Sequence, residues 1–268
     1  MIKAVRYALF LVCAVQVIMA VAFFLQLPLA VGIWPFPGST PMTFIFLSSI
    51  YAAAAVSTFW AVASKNYGAL AGIGLDYIMI LAPLSAVCFR LKSGATPGMT
   101  GWAIVSLAGA IIGLLLVLWS IRIPMDRTIP LPRFARWAFV GFIASLLAVS
   151  LALILRLPNV IPWTVTPALS VVIGSMFLGA ASYFLYGLLR PSWVNAGGQF
   201  AGFLAYDLVL IGPFISLFAT VEPERLPSLI VYTVFVSFSG LVALYYLFVY
   251  GPTRLRMTSG RSTGQLAA

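Results

Sequence analysis

Residues 201–213 read AGFLAYDLVLIGP, an apolar run with one acid, Asp207, at its middle. Residues 71–83 read AGIGLDYIMILAP and put Asp76 in the same setting. Both stretches have 13 residues, begin with Ala-Gly and end with Pro, and they lie 130 positions apart. The same offset pairs Arg6 with Arg136, and Pro28 with Pro158 in LQLP and LRLP. Near that offset Trp34 falls opposite Trp163, and FLSS opposite FLGA. The chain therefore reads as two copies of one unit.

The unit is helical and apolar. Of the 268 residues, 63% are hydrophobic and 7% charged, and the mean hydropathy is +1.11. A soluble globule of this size has too little interior to hide that much apolar surface, whereas a bilayer solvates it. Eight apolar segments are long enough to cross about 30 Å of hydrocarbon as helices. They fall at about 7–28, 43–64, 67–89, 101–121, 137–157, 167–189, 194–219 and 227–250. The opening MIKAVRY and the apolar run after it have the outline of a signal peptide. That run is longer than a signal core, and its counterpart at 137–157 cannot be a leader, so it reads as the first span. The predicted fold is all-α, an integral membrane bundle of eight transmembrane helices arranged as two parallel four-helix repeats. The first repeat is expected over 1–126 and the second over 136–256, with a cytoplasmic linker at 127–135 and a disordered cytoplasmic tail at 257–268. An even number of spans per unit inserts both copies the same way up, about an axis along the membrane normal.

The net charge of +10 does not indicate nucleic acid, because the basic residues lie singly or in small groups between apolar runs. Their distribution orients the chain. With the N-terminus inside, Lys3, Arg6, Lys65, Arg122, Arg127, Arg133, Arg136, Arg190, Arg254, Arg256 and Arg261 are cytoplasmic. Only Arg90, Lys92, Arg156 and Arg225 are then outside. Both termini are thus expected in the cytoplasm, with the positive charge facing anionic lipids. Trp34, Trp60, Trp102, Trp119, Trp137, Trp163 and Trp193 fall at or near segment ends, where interfacial rings are expected.

The two acids carry the chemistry. An Asp at mid-membrane costs about 2.5–3.5 kcal/mol on insertion scales. No Lys or Arg lies near that depth in either helix, so both carboxyls are expected to hold a proton when closed off from water. In an ungapped alignment Asp76 falls opposite Tyr206, and Tyr77 opposite Asp207, so Tyr77 and Tyr206 are the expected acid partners. Gly68-x-x-x-Gly72 and Gly198-x-x-x-Gly202 recur at the same offset and predict close helix packing. These features place the third and seventh spans against one another at the pseudo-twofold axis, with the acids meeting there. Pro83 and Pro213 follow as hinges that free the carbonyls of Met79 and Val209, with Ser85 and Ser216 near enough to satisfy them.

Other features read as packing or solvation. Tyr183, Tyr186, Tyr245 and Tyr246 fit ordinary packing, or more remotely the lining of a lipophilic site. Gln16 and Gln26 suit hydrogen bonds between helices. Glu222, Glu224 and Arg225 look like a solvated outer cluster. The outer WPFPGSTP and VIPWTVTP loops suit interfacial anchors better than a gate. Cys13 and Cys88 lie in apolar segments and are not expected to pair.

Histidine is absent, which removes the commonest metal ligand and general base. No HExxH, Walker loop, GxSxG or Cys cluster is present. No catalytic residue, cofactor or metal is therefore expected, and no particular protein partner is indicated. WPFPGSTP followed by TFIFLSSIYAAAA, loosely repeated as PWTVTP followed by SVVIGSMFLGAA, resembles uncharacterised bacterial multi-pass membrane proteins. The resemblance covers about a third of the chain and implies the bacterial cytoplasmic membrane, with no activity attached. The expected function is a non-enzymatic structural or accessory membrane component. The alternative is a small proton-coupled carrier or permease that uses Asp76 and Asp207.

Overall fold

The computed structural model describes residues 2–36, 39–91 and 98–255. Lys92, Arg256, Arg261, the loop pair at 37–38 and the tail at 257–268 lie outside the described residues. The helices are α1 (Ile2–Phe24), α2 (Pro28–Ile33), α3 (Pro41–Ala63), α4 (Leu70–Leu91) and α5 (Met99–Ser120). Then come α6 (Arg133–Ile154), α7 (Pro167–Leu189), α8 (Trp193–Leu217) and α9 (Leu226–Leu244), the last extended by a wider turn over Tyr245–Val249. Eight of these, all but the short α2, are long and apolar enough to span a membrane, and no strand occurs among the described residues.

The first and fifth spans stop short of the expected Pro28 and Leu157. Gln26 and Arg156 take left-handed φ values of 50° and 59°. After each, the next amide reaches back to close the helix: Leu27 N–H to Ala22 O, and Leu157 N–H to Ala152 O, both at 2.9 Å. This Schellman cap satisfies carbonyls that the helix end would orphan. The prolines at 28 and 158 then carry the chain away, since neither can continue a helix from behind.

The helices lie in two rows of four. In one row α1 packs on α3, α3 on α8 and α8 on α9; in the other α5 packs on α4, α4 on α7 and α7 on α6. Across the rows, Phe142 of α6 meets Phe235 of α9 at 5.5 Å between ring centroids. Between helices this apolar on every side, contact depends on close packing and hydrogen bonds. Serines supply many of the bonds. Ser48 Oγ donates to Ala20 O at 2.7 Å, Ser57 Oγ to Gly198 O at 3.1 Å, and Ser150 Oγ to Gly174 O at 2.7 Å. Each such bond contributes on the order of 0.6 kcal/mol in a membrane.

Several surface expectations are corrected by burial. Trp34, Trp163 and Trp193 are buried inside the protein, whereas Trp137 is exposed. The Trp163 ring packs on Phe46 of α3 and Phe214 of α8, plugging that end of the α3–α8 contact. The linker is docked on the turn between α7 and α8: Trp193 N–H donates to Ile129 O at 2.9 Å, and Leu131 N–H to Pro191 O at 3.3 Å. Thr128 N–H donates to Asp126 Oδ1 at 2.8 Å and holds that exposed carboxyl below the usual carboxylate range.

Arg225 is not simply solvated. Its Nε meets Glu222 at 2.8 Å, and its Nη1 donates to Trp163 O at 3.1 Å and Ile161 O at 3.4 Å. The guanidinium therefore ties the start of the last span to the loop before α7. Arg225→Ala is expected to lower the thermal unfolding midpoint of the detergent-purified protein, with a loss of about 1.5–3 kcal/mol for charged hydrogen bonds of this kind. An unchanged midpoint would show the tie to be idle.

Candidate functional site

The acids do not form the expected seam. The third span, α4, packs on α5 and α7, while the seventh, α8, packs on α3 and α9. The reason lies in the order of the two side chains, Asp76-Tyr77 on α4 and Tyr206-Asp207 on α8. One residue along an α-helix is a rotation of about 100°. Aligned helices therefore point their acids at different neighbours.

Asp76 points from α4 towards α7. A Cβ built on Gly179 of α7 would sit 2.5 Å from Asp76 Oδ1, so only glycine leaves room for the carboxyl. Asp207 points instead at α9. Ser239 Oγ lies 2.9 Å from each of its carboxyl oxygens, and a Cβ on Gly240 would be 3.4 Å from Oδ2. Asp207 is sealed, at 3% exposure, whereas Asp76 retains accessible surface deep in the bundle.

That surface faces a cavity of about 140 Å³ between the two rows, lined from α3, α4, α6, α7, α8 and α9. Asp76, Ser57, Tyr183, Gln199 and Tyr206 supply most of its polar lining. Phe177, Phe203 and Phe235 are among its apolar walls, and Asp207 takes no part. Ser145 of α6 and Val231 of α9 are exposed residues at its edge, so the cavity opens sideways between those two helices. Gln199 is fully buried; its Nε2 donates to Tyr183 O, and its Oε1 has no partner among the described residues. No described residue donates a hydrogen bond to Asp76. Among the described residues no three Cys, Asp or Glu side chains gather as a metal-ligating group.

The expected tyrosine partners are also corrected. The Tyr77 hydroxyl accepts from Gln16 Nε2 of α1, which makes Gln16 an interhelical tie. The Tyr206 ring packs on Phe46 and Phe203 and borders the cavity. The ungapped alignment is the better guide to position: Asp76 and Tyr206 both border the cavity, while Tyr77 and Asp207 face glycines of the adjoining hairpin helix, Gly113 and Gly240.

The remaining predicted residues serve packing. Gly72 admits the rings of Tyr183 and Tyr186 from α7, at 2.8–3.0 Å from a built Cβ. Gly68 lies in the turn before α4, and its carbonyl accepts from Tyr186 Oη at 3.0 Å. Gly198 and Gly202 face α3, with Trp60 3.2 Å and Ala53 O 2.9 Å from their built Cβ atoms. The small residues thus open α4 to α7 and α8 to α3, not α4 to α8. Pro83 and Pro213 sit inside α4 and α8, and neither ends its helix. Ser85 Oγ donates to Ala103 O of α5 at 2.8 Å, and Ser216 is exposed. No known protein family, curated protein or solved structure matches the chain.

Sequence reading missed Gly179, Ser239 and Gln199. Gly179 and Gly240 are small residues inside spans, and that was a usable signal. Ser239 needed knowledge of which helix faces Asp207. Ser239→Ala is expected to remove the only side-chain hydrogen-bond partner that Asp207 has among the described residues, at a cost of about 1–3 kcal/mol for an unsatisfied buried group. Asp207→Asn, which keeps an acceptor for Ser239, is expected to cost less in the same thermal unfolding measurement.

Proposed function

We propose that this chain is a multi-pass membrane carrier made of two parallel four-helix repeats, with Asp76 as the protonatable group of its path. The observation that carries the reading is one carboxyl, without a hydrogen-bond donor among the described residues, facing a cavity whose walls are mostly apolar. An acid inside a membrane span is costly and marks function more often than packing. The repeat is supported by the helix pairing, which maps onto itself after a shift of four spans. The α1–α3 contact corresponds to α6–α7, α4–α5 to α8–α9, and α3–α8 to α7–α4. The matching caps at Gln26 and Arg156 support it too.

The carrier works by exposing Asp76 to water on one side and then the other. It loads or releases a proton as the cavity opens. Pro83, seven residues after Asp76, removes the intrahelical donor for Met79 O and gives α4 a place to bend; Pro213 does the same in α8. Asp207 holds α8 to α9 and takes no part in the path. The distribution of Lys and Arg along the chain supports both termini in the cytoplasm, against anionic lipids. Single cysteines at Thr128 and Glu224, in a background lacking Cys13 and Cys88, should react with an impermeant maleimide on intact spheroplasts only at 224. Labelling at 128 alone would reverse the orientation.

Proteoliposomes enclosing a pH-sensitive dye test the function. A pH step or an added solute should move protons across membranes that contain the parent protein and not across empty ones. A second reading, a structural or accessory subunit, is favoured by the exposed apolar face of α5, where Val105 and Ile112 are 66% and 60% exposed. Absence of any flux, together with co-purification of a stoichiometric partner on that face, would favour it.

A further inference from the structure

The cavity has the chemistry of a site for a small lipophilic amine. We propose that it admits a free-base amine from the bilayer, through the gap between α6 and α9, and holds it as a cation against Asp76. This rests on the carrier reading above and names its substrate class.

Three observations converge. First, the walls are apolar and aromatic, with Phe177, Phe203 and Tyr232 around the space, so they suit a hydrocarbon body and bring aromatic rings beside a cation. Second, the volume of about 140 Å³ is close to that of apolar cavities that take up one benzene ring, which limits the ligand to a single ring or a short alkyl group. Third, the titratable groups bordering the cavity are Asp76 and the hydroxyls of Tyr183, Tyr206 and Tyr232, with Tyr77 beside Asp76 on α4. Among the described residues no Lys or Arg borders it. A carboxyl in such a place is costly as a lone anion, and it becomes an ion pair once a base arrives.

The step balances without another reagent. The neutral amine partitions into hydrocarbon and passes Ser145 and Val231 at the mouth. At the inner end its nitrogen lone pair takes the proton of the Asp76 carboxyl. One N–H bond forms and one O–H bond breaks, leaving an ammonium against a carboxylate with no net charge brought in. The ammonium leaves to water when the cavity opens there, and Asp76 is reprotonated from water.

The test is equilibrium binding of radiolabelled 2-phenylethylamine to purified protein in phosphatidylcholine nanodiscs, with 2-phenylethanol as the neutral probe of the same shape. The amine should bind about tenfold or more tightly than the alcohol, the discrimination expected of a charge-assisted bond. Asp76→Asn should abolish that preference and leave the alcohol unaffected, whereas Asp207→Asn should keep it. Ala180→Phe, which fills the cavity from the α7 wall, should remove both ligands and decides the matter if Asp76→Asn does not fold. Equal binding of amine and alcohol, an amine preference that survives Asp76→Asn, or undiminished binding in folded Ala180→Phe overturns the proposal. Specific amine binding without proton-coupled flux would overturn the carrier reading and leave this site standing. Flux of another solute without amine binding would do the reverse.

Discussion

Valine at Gly202 should leave little folded protein. A side chain there starts 2.9 Å from Ala53 O and 3.4 Å from Ser57 Cβ, both on α3. A carbonyl inside a helix cannot swing away, so the two helices must separate. Their contact includes the Ser57–Gly198 and Trp60–Val194 hydrogen bonds, at 3.1 Å each. Overpacking alone costs about 1–3 kcal/mol, and loss of the bonds adds to it. The same substitution at Gly72 should act alike, because the Tyr183 and Tyr186 rings stand 2.8–3.0 Å from its built Cβ. Gly141→Ala and Gly212→Ala are the controls, with nothing within 4 Å of either built Cβ. They should be neutral or gain up to about 1 kcal/mol from backbone entropy. Size-exclusion yield and the unfolding midpoint read the difference. A Gly202→Val protein as stable as Gly141→Ala would mean that α3 and α8 do not meet as described.

Asp76→Asn should bring proton flux in the liposome assay down to the level of protein-free vesicles, with folded protein recovered in normal yield. The amide keeps the size of the carboxyl, so the fit against Gly179 is preserved while the exchangeable proton is lost. Asp207→Asn should retain flux at a slightly lower unfolding temperature, because its partner is Ser239 and it does not face the cavity. Equal loss of flux in both variants would restore the expectation of a coupled pair. Retained flux in Asp76→Asn would remove Asp76 from the path.

The two acids show what could be read from the chain and what could not. Their apolar surroundings and their separation of about 130 residues are legible in the chain. Their partners are not legible there, since Asp–Tyr chemistry looks the same in either order. On a helix the order sets the direction, and a turn of about 100° moved Asp207 from the cavity to Ser239. The paired GxxxG motifs behaved similarly. They marked where backbones approach but not whose, because a small residue leaves room for any neighbour. The Trp-rich loops were assigned to the interface by type, and the contact of Trp163 with Phe46 and Phe214 took that ring inside.

By itself the sequence determined the number of long apolar helices, their approximate ends and the apolar run around each acid. Those depend on the run of side chains along one segment, and the solvation of a segment is a local sum. Only the tertiary structure decided which helix faces which, that a cavity lies between the rows, and that one acid of the two reaches it. Those outcomes depend on rotation about each helix axis, where a single residue of register outweighs any similarity of composition.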